Sequence, residues 1–214
     1  MERRSAVKAI VLAGVTSTSL LSLPIQLNSK TKMWNKTKFS KLLGIQYPIV
    51  QGPFGGGLSS VNLTSTVSNA GGLGSFGGQP FSSNEIIETC REIRKYTDKP
   101  FNLNLWVNDR DARLAEFDDE DYKKLSELFK PYFNELGLPI PERPIDLGAK
   151  FEEQIEAVFA AKPTVFSFVY GIPSSDILEK CKTLGIKTIG AATTVDEAIE
   201  LENAGVDAIV ATGF

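Results

Sequence analysis

Asp207-Ala-Ile-Val-Ala-Thr-Gly-Phe214 closes the chain, and its reading decides the fold. It is a short apolar run with glycine in the loop that follows, and Asn203-Ala-Gly-Val-Asp207 leads into it as a tight turn. Five similar runs precede it: Tyr47–Gln51, Leu73–Phe76, Phe101–Val107, Thr164–Val169 and Lys187–Gly190. Amphipathic stretches alternate with them. Alternating strand and helix builds a parallel sheet, and such a sheet is covered on both faces. The expected fold is therefore α/β, a TIM (β/α)8-type barrel. Six of the eight strands of such a barrel are read, so the expectation is a barrel truncated after about strand six.

Helix starts fall where the alternation needs them. Ser59 or Ser60 caps a helix running to about Asn69, and Gly71-Gly72 ends it. Ser82 or Ser83 caps Asn84 to Tyr96, Ser174 or Ser175 a helix to Leu184, and Thr194 the helix Val195 to Ala204. Phe151 to Ala161 reads as the helix belonging to the third strand. Between them, 108–150 is too long for a simple connection and reads as an excursion on the barrel rim. Its acidic patch, Asp118 to Asp121, reads as a solvated helix start that complements the helix dipole. Pro131 is expected to kink or split the amphipathic stretch Tyr122 to Leu136.

The first thirty residues differ. A basic start, Met1 to Lys8, precedes a moderately apolar run from Ala9 to Leu23, and Pro24 ends it. This is a secretory-signal pattern, and Arg3-Arg4 gives it a twin-arginine character. The run is short for a membrane span, which needs about 20 apolar residues. Residues 31–41 read as a linker and 42–214 as the barrel. The expected location is outside the cytoplasm, in a periplasm, with a cytoplasmic protein as the alternative.

Composition narrows the function by exclusion. The chain has 214 residues, 42% of them hydrophobic and 23% charged, with a formal net charge of -3. Nothing in that balance points to nucleic acid or to an anionic membrane. Cys90 and Cys181 fit neither a metal spacing nor a disulfide framework. There is no histidine, which excludes a histidine base, a histidine ligand and a Ser-His triad within these residues.

In a (β/α) barrel the chemistry sits just after each strand. Gln51-Gly-Pro-Phe-Gly-Gly-Gly57 follows the first run, and Gly71-Gly-Leu-Gly-Ser-Phe-Gly-Gly78 surrounds the second. Two adjacent glycine-lined strand ends suggest a wide, flat floor that backbone can approach closely. Asn102 and Asn104 are two apart in the third run and share a face.

Four motifs, in order, carry a resemblance: Tyr47-Pro-Ile-Val-Gln-Gly-Pro-Phe54 with its glycines, Asn69-Ala-Gly-Gly-Leu-Gly-Ser75, Lys99-Pro-Phe-Asn-Leu-Asn-Leu105 and Ser167-Phe-Val-Tyr-Gly171. From about Phe39 to Phe214 the chain resembles the nitronate monooxygenases, formerly called 2-nitropropane dioxygenases. The resemblance implies a TIM barrel with noncovalently bound FMN. It implies flavin contacts at Gly52, Pro53, Phe54, Gly55 and Asn104, and at Thr212, where the family often has glutamine. Phe54 stands where methionine is frequent. Nitroalkane-oxidising members carry a histidine base two residues after the serine of the fourth motif, and here that position is Val169. Valine cannot take an α-proton from a neutral nitroalkane. The implied substrates are thus small-molecule nitronates, which are already anions, with O2 as oxidant. The competing functions are an NAD(P)H-dependent flavin reductase of quinones or enoyl thioesters, a flavin-free phosphate-binding barrel, and an inactive fragment.

Overall fold

A computed structural model describes residues 33–55, 57–107, 118–143 and 151–213. The export signal read at 1–30, the start of the linker and the two ends of the rim excursion lie outside the described residues.

Five parallel strands, β1 (Gly74–Gly77), β2 (Phe101–Trp106), β3 (Val165–Val169), β4 (Lys187–Ala192) and β5 (Ala208–Ala211), stand side by side in chain order. Helices α2 (Val61–Asn69), α3 (Ser83–Tyr96), α5 (Phe151–Ala161), α6 (Ser175–Thr183) and α7 (Val195–Asn203) alternate with them. Sequential parallel order with a helix at each crossover is the wall of a (β/α) barrel.

The helices begin where the caps predict. Ser60, Ser82 and Thr194 each accept a backbone N–H from the first turn, and Ser82 and Thr194 complete capping boxes with Glu85 and Glu197. The outward face of the sheet is apolar. Phe76, Leu103, Leu105, Phe166 and Phe168 pack there with Ile86, Ile93, Ile155, Val158 and Leu201 from the helices. Burying such side chains contributes roughly 1.5–3 kcal/mol each, and this layer supplies much of the stability. A smaller cluster of Leu43, Ile45, Leu73, Val165 and Ile189 closes the inner face of the sheet near its lower end.

Three local expectations are corrected. The first apolar run is a single bridge, Val50 to Leu73, and not a strand. The ladder begins, with Leu73 N–H donating to Ile49 and Gln51 N–H to Leu73. It stops because the next donor, Ser75 N–H, is taken by the side chain of Gln51 at 2.9 Å. Second, a short helix, α1 (Lys38–Leu43), starts within the stretch read as linker. Thr37 and Ser40 cap it reciprocally, Gly44 ends it at φ 69°, and Leu43 is buried. Third, of the kink or split expected at Pro131, the split does not occur: α4 (Asp119–Glu135) continues through it. None of its residues is buried, so water can meet the carbonyl of Glu127 that Pro131 leaves unbonded. Asp118 caps α4 through the backbone N–H groups of Glu120 and Asp121, both at 2.9 Å, as the acidic patch suggested.

Candidate functional site

Side chains two apart on a strand share a face, and the strand register aligns those faces across the sheet. Ser75 pairs with Asn102, Asn104 with Ser167, and Trp106 with Val169. The face away from the main helix layer therefore carries Ser75, Asn102, Asn104 and Ser167, with Trp106 and Val169 one step nearer the carboxyl ends of the strands.

These four polar residues are buried and joined. Asn102 Nδ2 donates to Ser75 Oγ at 3.1 Å and to Ser167 Oγ at 2.8 Å, and Asn104 Nδ2 donates to Ser167 Oγ at 3.0 Å. Asn102 Oδ1 is buried and has no partner among the described residues. A buried amide oxygen left so is an open acceptor for a donor brought by a ligand or a water. The network holds no base: two amides and two hydroxyls can orient a ligand, but they cannot hold a proton taken from carbon.

The glycine floor adjoins it. Gly77, at the end of β1, is the register partner of Asn104. A Cβ on Gly77 would stand 2.8 Å from the carbonyl oxygen of Phe54. Only glycine lets the loop after Val50 lie on that strand end. The loop is fixed by Ser59, whose Oγ accepts the Phe54 N–H at 2.8 Å and whose own N–H donates to the Phe54 carbonyl at 3.3 Å. Gly52 receives a hydrogen bond from Gln51 Nε2 on its carbonyl. Around Gly55 there is open space where a side chain would be. Gly52, Pro53, Phe54, Gly55 and Asn104 are thus gathered at one corner of the face, with the Phe54 ring exposed.

Thr212 lies apart from them, beyond β3 and β4. Its N–H and hydroxyl both donate to the Ala192 carbonyl, at 2.9 and 3.2 Å. It borders a cleft of about 700 Å³ at the carboxyl ends of β3 to β5, with Val169, Tyr170, Ile172, Ala191 and Glu197 on its walls. Glu197 is no free base there. Its carboxylate accepts the Thr193 N–H at 2.6 Å and the Thr193 hydroxyl at 2.9 Å, and these bonds hold its pKa below the ordinary carboxylate range. It is committed to capping α7.

Several contributors escaped sequence reasoning. Ser75 and Ser167 were visible as motif letters, but their junction with the asparagines depends on strand register. Gln154, on α5, is fully buried, and its Nε2 reaches the carbonyls of Gly78, Gln79 and Phe81 at 3.4, 2.9 and 2.8 Å. It fixes the loop after β1. Gln79 in turn accepts the Trp106 N–H at 2.9 Å, which ties that loop to the top of β2.

No group of three histidine, cysteine, aspartate or glutamate side chains suited to a metal occurs among the described residues, and no described helix is long and apolar enough to cross a membrane.

Comparison with known proteins agrees with this fold. A protein of Staphylococcus haemolyticus strain JCSC1435, described as "Probable nitronate monooxygenase", is 36% identical over 181 residues, which cover 85% of this chain and 49% of that protein. The chain spans about half the length of the curated relatives it matches. Among solved structures, nitroalkane oxidase from Streptomyces ansochromogenes superposes with a TM-score of 0.69 at 24% identity, over 83% of this chain and 48% of that one. FabK from Thermotoga maritima superposes with a TM-score of 0.60 at 23% identity, over 82% and 43%. The family described as nitronate monooxygenase matches residues 36–214, and the chain belongs to that family.

Proposed function

We propose that this chain forms part of the site of an FMN-dependent oxidoreductase that oxidises alkyl nitronates with O2. The observation that carries the reading is the inner face itself, a polar but base-free surface beside a glycine floor. Val169, paired with Trp106, stands where the resemblance implies a histidine base in nitroalkane-oxidising members.

The residues present fit a flavin. Gly52, Pro53, Phe54 and Gly55 offer backbone at an open strand end, Asn104 offers an amide fixed by Ser167, and Asn102 holds an unused acceptor. Thr212 borders the neighbouring cleft. When bound, FMN would supply the redox chemistry, accepting electrons from the nitronate and passing them to O2. The chain's own task is orientation. The Ser75–Asn102–Ser167–Asn104 network fixes two amides in place, so their dipoles need no rearrangement when a charged substrate arrives. Because the described polar network offers no base to remove an α-proton, the reading favours a preformed nitronate anion, which needs no such step, over a neutral nitroalkane.

The test is oxygen consumption by the FMN-loaded protein with propane-2-nitronate, with neutral 2-nitropropane, and with NADPH plus a quinone. Uptake with the nitronate alone supports the reading. Turnover that requires NADPH would replace it with a flavin reductase. Protein that never takes up FMN would leave a flavin-free phosphate-binding barrel. We propose export to the periplasm from the basic, Arg3-Arg4-containing start and the apolar run behind it; fractionation of cells producing the full chain checks this.

A further inference from the structure

Above the polar network stand two aromatic side chains that the reaction does not require. Trp106 continues the inward series Asn102, Asn104, and it is 42% exposed although it sits in the sheet. Tyr170, one residue beyond β3, is 77% exposed. Their rings meet edge to face at 90°, with centroids 5.2 Å apart. Tyr170 also walls the cleft that Val169, Ile172 and Ala191 line with apolar groups.

Tyr170 is held at a cost. Its φ is 65°, in the left-handed region that bulky residues avoid, and reaching it costs on the order of 1–2 kcal/mol. The next residue, Gly171, has φ 154°, and a Cβ there would press on Val107 at 3.1 Å. The backbone before the turn is bound firmly, with Val107 N–H donating to the Val169 carbonyl at 2.9 Å. Trp106 is fixed in its turn by Gln79. Two large rings left open to solvent, one on a strained backbone, mark a binding device sooner than a packing solution.

We propose that Trp106 and Tyr170 form an aromatic jaw over the site that selects substrates carrying an aryl or similarly flat apolar substituent. The inference rests on the nitronate reading for its substrate class. The reacting end would lie over the Asn104 corner, and the substituent would insert between the rings and the apolar wall of the cleft. Aromatic pairs prefer edge-to-face or offset contact, and closing a third ring into such a pair adds to the burial it already gains.

The experiment compares kcat/KM for phenylnitromethane nitronate and ethyl nitronate in the FMN-loaded full chain. We expect an aryl preference of about tenfold or more, falling about tenfold, mainly through KM, in Trp106→Ala and Tyr170→Gly. Glycine at 170 removes the ring and tolerates the backbone angle, so that variant folds without the strain. Tyr170→Phe keeps the ring and the preference. An unchanged ratio in Trp106→Ala and Tyr170→Gly overturns the jaw. A second readout needs no turnover. The chain has two tryptophans, so Trp34→Phe leaves Trp106 as the reporter. Phenylacetate, an anion carrying an aryl ring that cannot be oxidised as a nitronate, should give a saturable fluorescence change that acetate does not, and Tyr170→Gly should abolish it. A saturable change without oxygen uptake on any nitronate keeps the jaw and overturns the nitronate reading. Oxygen uptake without aryl preference does the reverse.

Discussion

Asn102 donates its amide to the hydroxyl of Ser167 across 2.8 Å, joining β2 to β3 on the face where a ligand would lie. Ser167 also accepts from Asn104 at 3.0 Å, so one hydroxyl orients two amides. In Ser167→Ala, Asn104 Nδ2 loses that partner in a buried place, while Asn102 keeps Ser75. The expected cost is about 1–3 kcal/mol, read as a lower urea midpoint with an unchanged slope. If the proposed flavin site holds, FMN affinity should fall as well, because Asn104 is no longer fixed. A variant as stable as the parent would mean that water replaces the hydroxyl.

Two glycines in the sheet should respond differently to a methyl group. At Gly74, a Cβ would overlap the backbone carbonyl of Thr64 on α2, with Ser68 Oγ at 2.8 Å. Backbone cannot turn aside, so Gly74→Ala should cost about 3 kcal/mol or more. At Gly190 the obstacle is the end of the Leu201 side chain, beside Phe168 at 3.1 Å. A leucine can change rotamer, so Gly190→Ala should cost about 1–3 kcal/mol. Combining Gly190→Ala with Leu201→Ala should show coupling in a double-mutant cycle, because the second change opens the space the first needs. Strictly additive losses would put the strain elsewhere.

These relationships show what the sequence could and could not disclose. The helices after Ser60, Ser82 and Thr194 were legible because capping is local: hydroxyl and N–H groups lie within three residues of each other. Five of the six apolar runs became strands: β1 to β4 are largely buried, while β5, with Ile209 and Val210 exposed, is held by its pairing with β4. The first did not, because Gln51 spends its side chain on Ser75 N–H, a contact 24 residues away that no local pattern contains. α1 was hidden because its capping box uses Ser40 where glutamate or glutamine is usual. At the site, the parity of Asn102 and Asn104 could be read from spacing. Ser75 and Ser167 could not, since they meet the asparagines only through the register of three strands. Gln154 lies farther still, on a helix, and its role appears only when α5 is docked against the loop after β1.

Cys90 and Cys181 are both fully buried, and burial pushes each thiol up to about 11. A thiolate is the reactive form, so neither should react with a disulfide reagent at pH 8 while the protein is folded. Both should react at once in denaturant. Fast labelling of one thiol in the native protein would locate a local opening, either at α3 for Cys90 or at α6 for Cys181.

Asp207 gives the chain an acid-sensitive joint. Burial alone would raise its pKa, but the Thr188 N–H at 2.9 Å, the Lys187 ammonium at 2.9 Å and the Thr188 hydroxyl at 3.3 Å outweigh that and hold it below the ordinary carboxylate value. The bonds tie the turn before β5 to the first residues of β4. A lowered folded pKa means that the ionised group stabilises the fold above the unfolded value, about 3.9, and that this contribution disappears as pH falls through the folded one. Asp207→Asn keeps the shape and removes the charge. At pH 7 it should be less stable by about 1 kcal/mol, a modest figure because the pair is partly screened by solvent. In urea titrations from pH 7 to pH 3, the two proteins should converge as the parent's carboxylate takes up its proton. A gap that stayed constant down to pH 3 would show that the loss came from altered packing and not from the charge shared with Lys187 and Thr188.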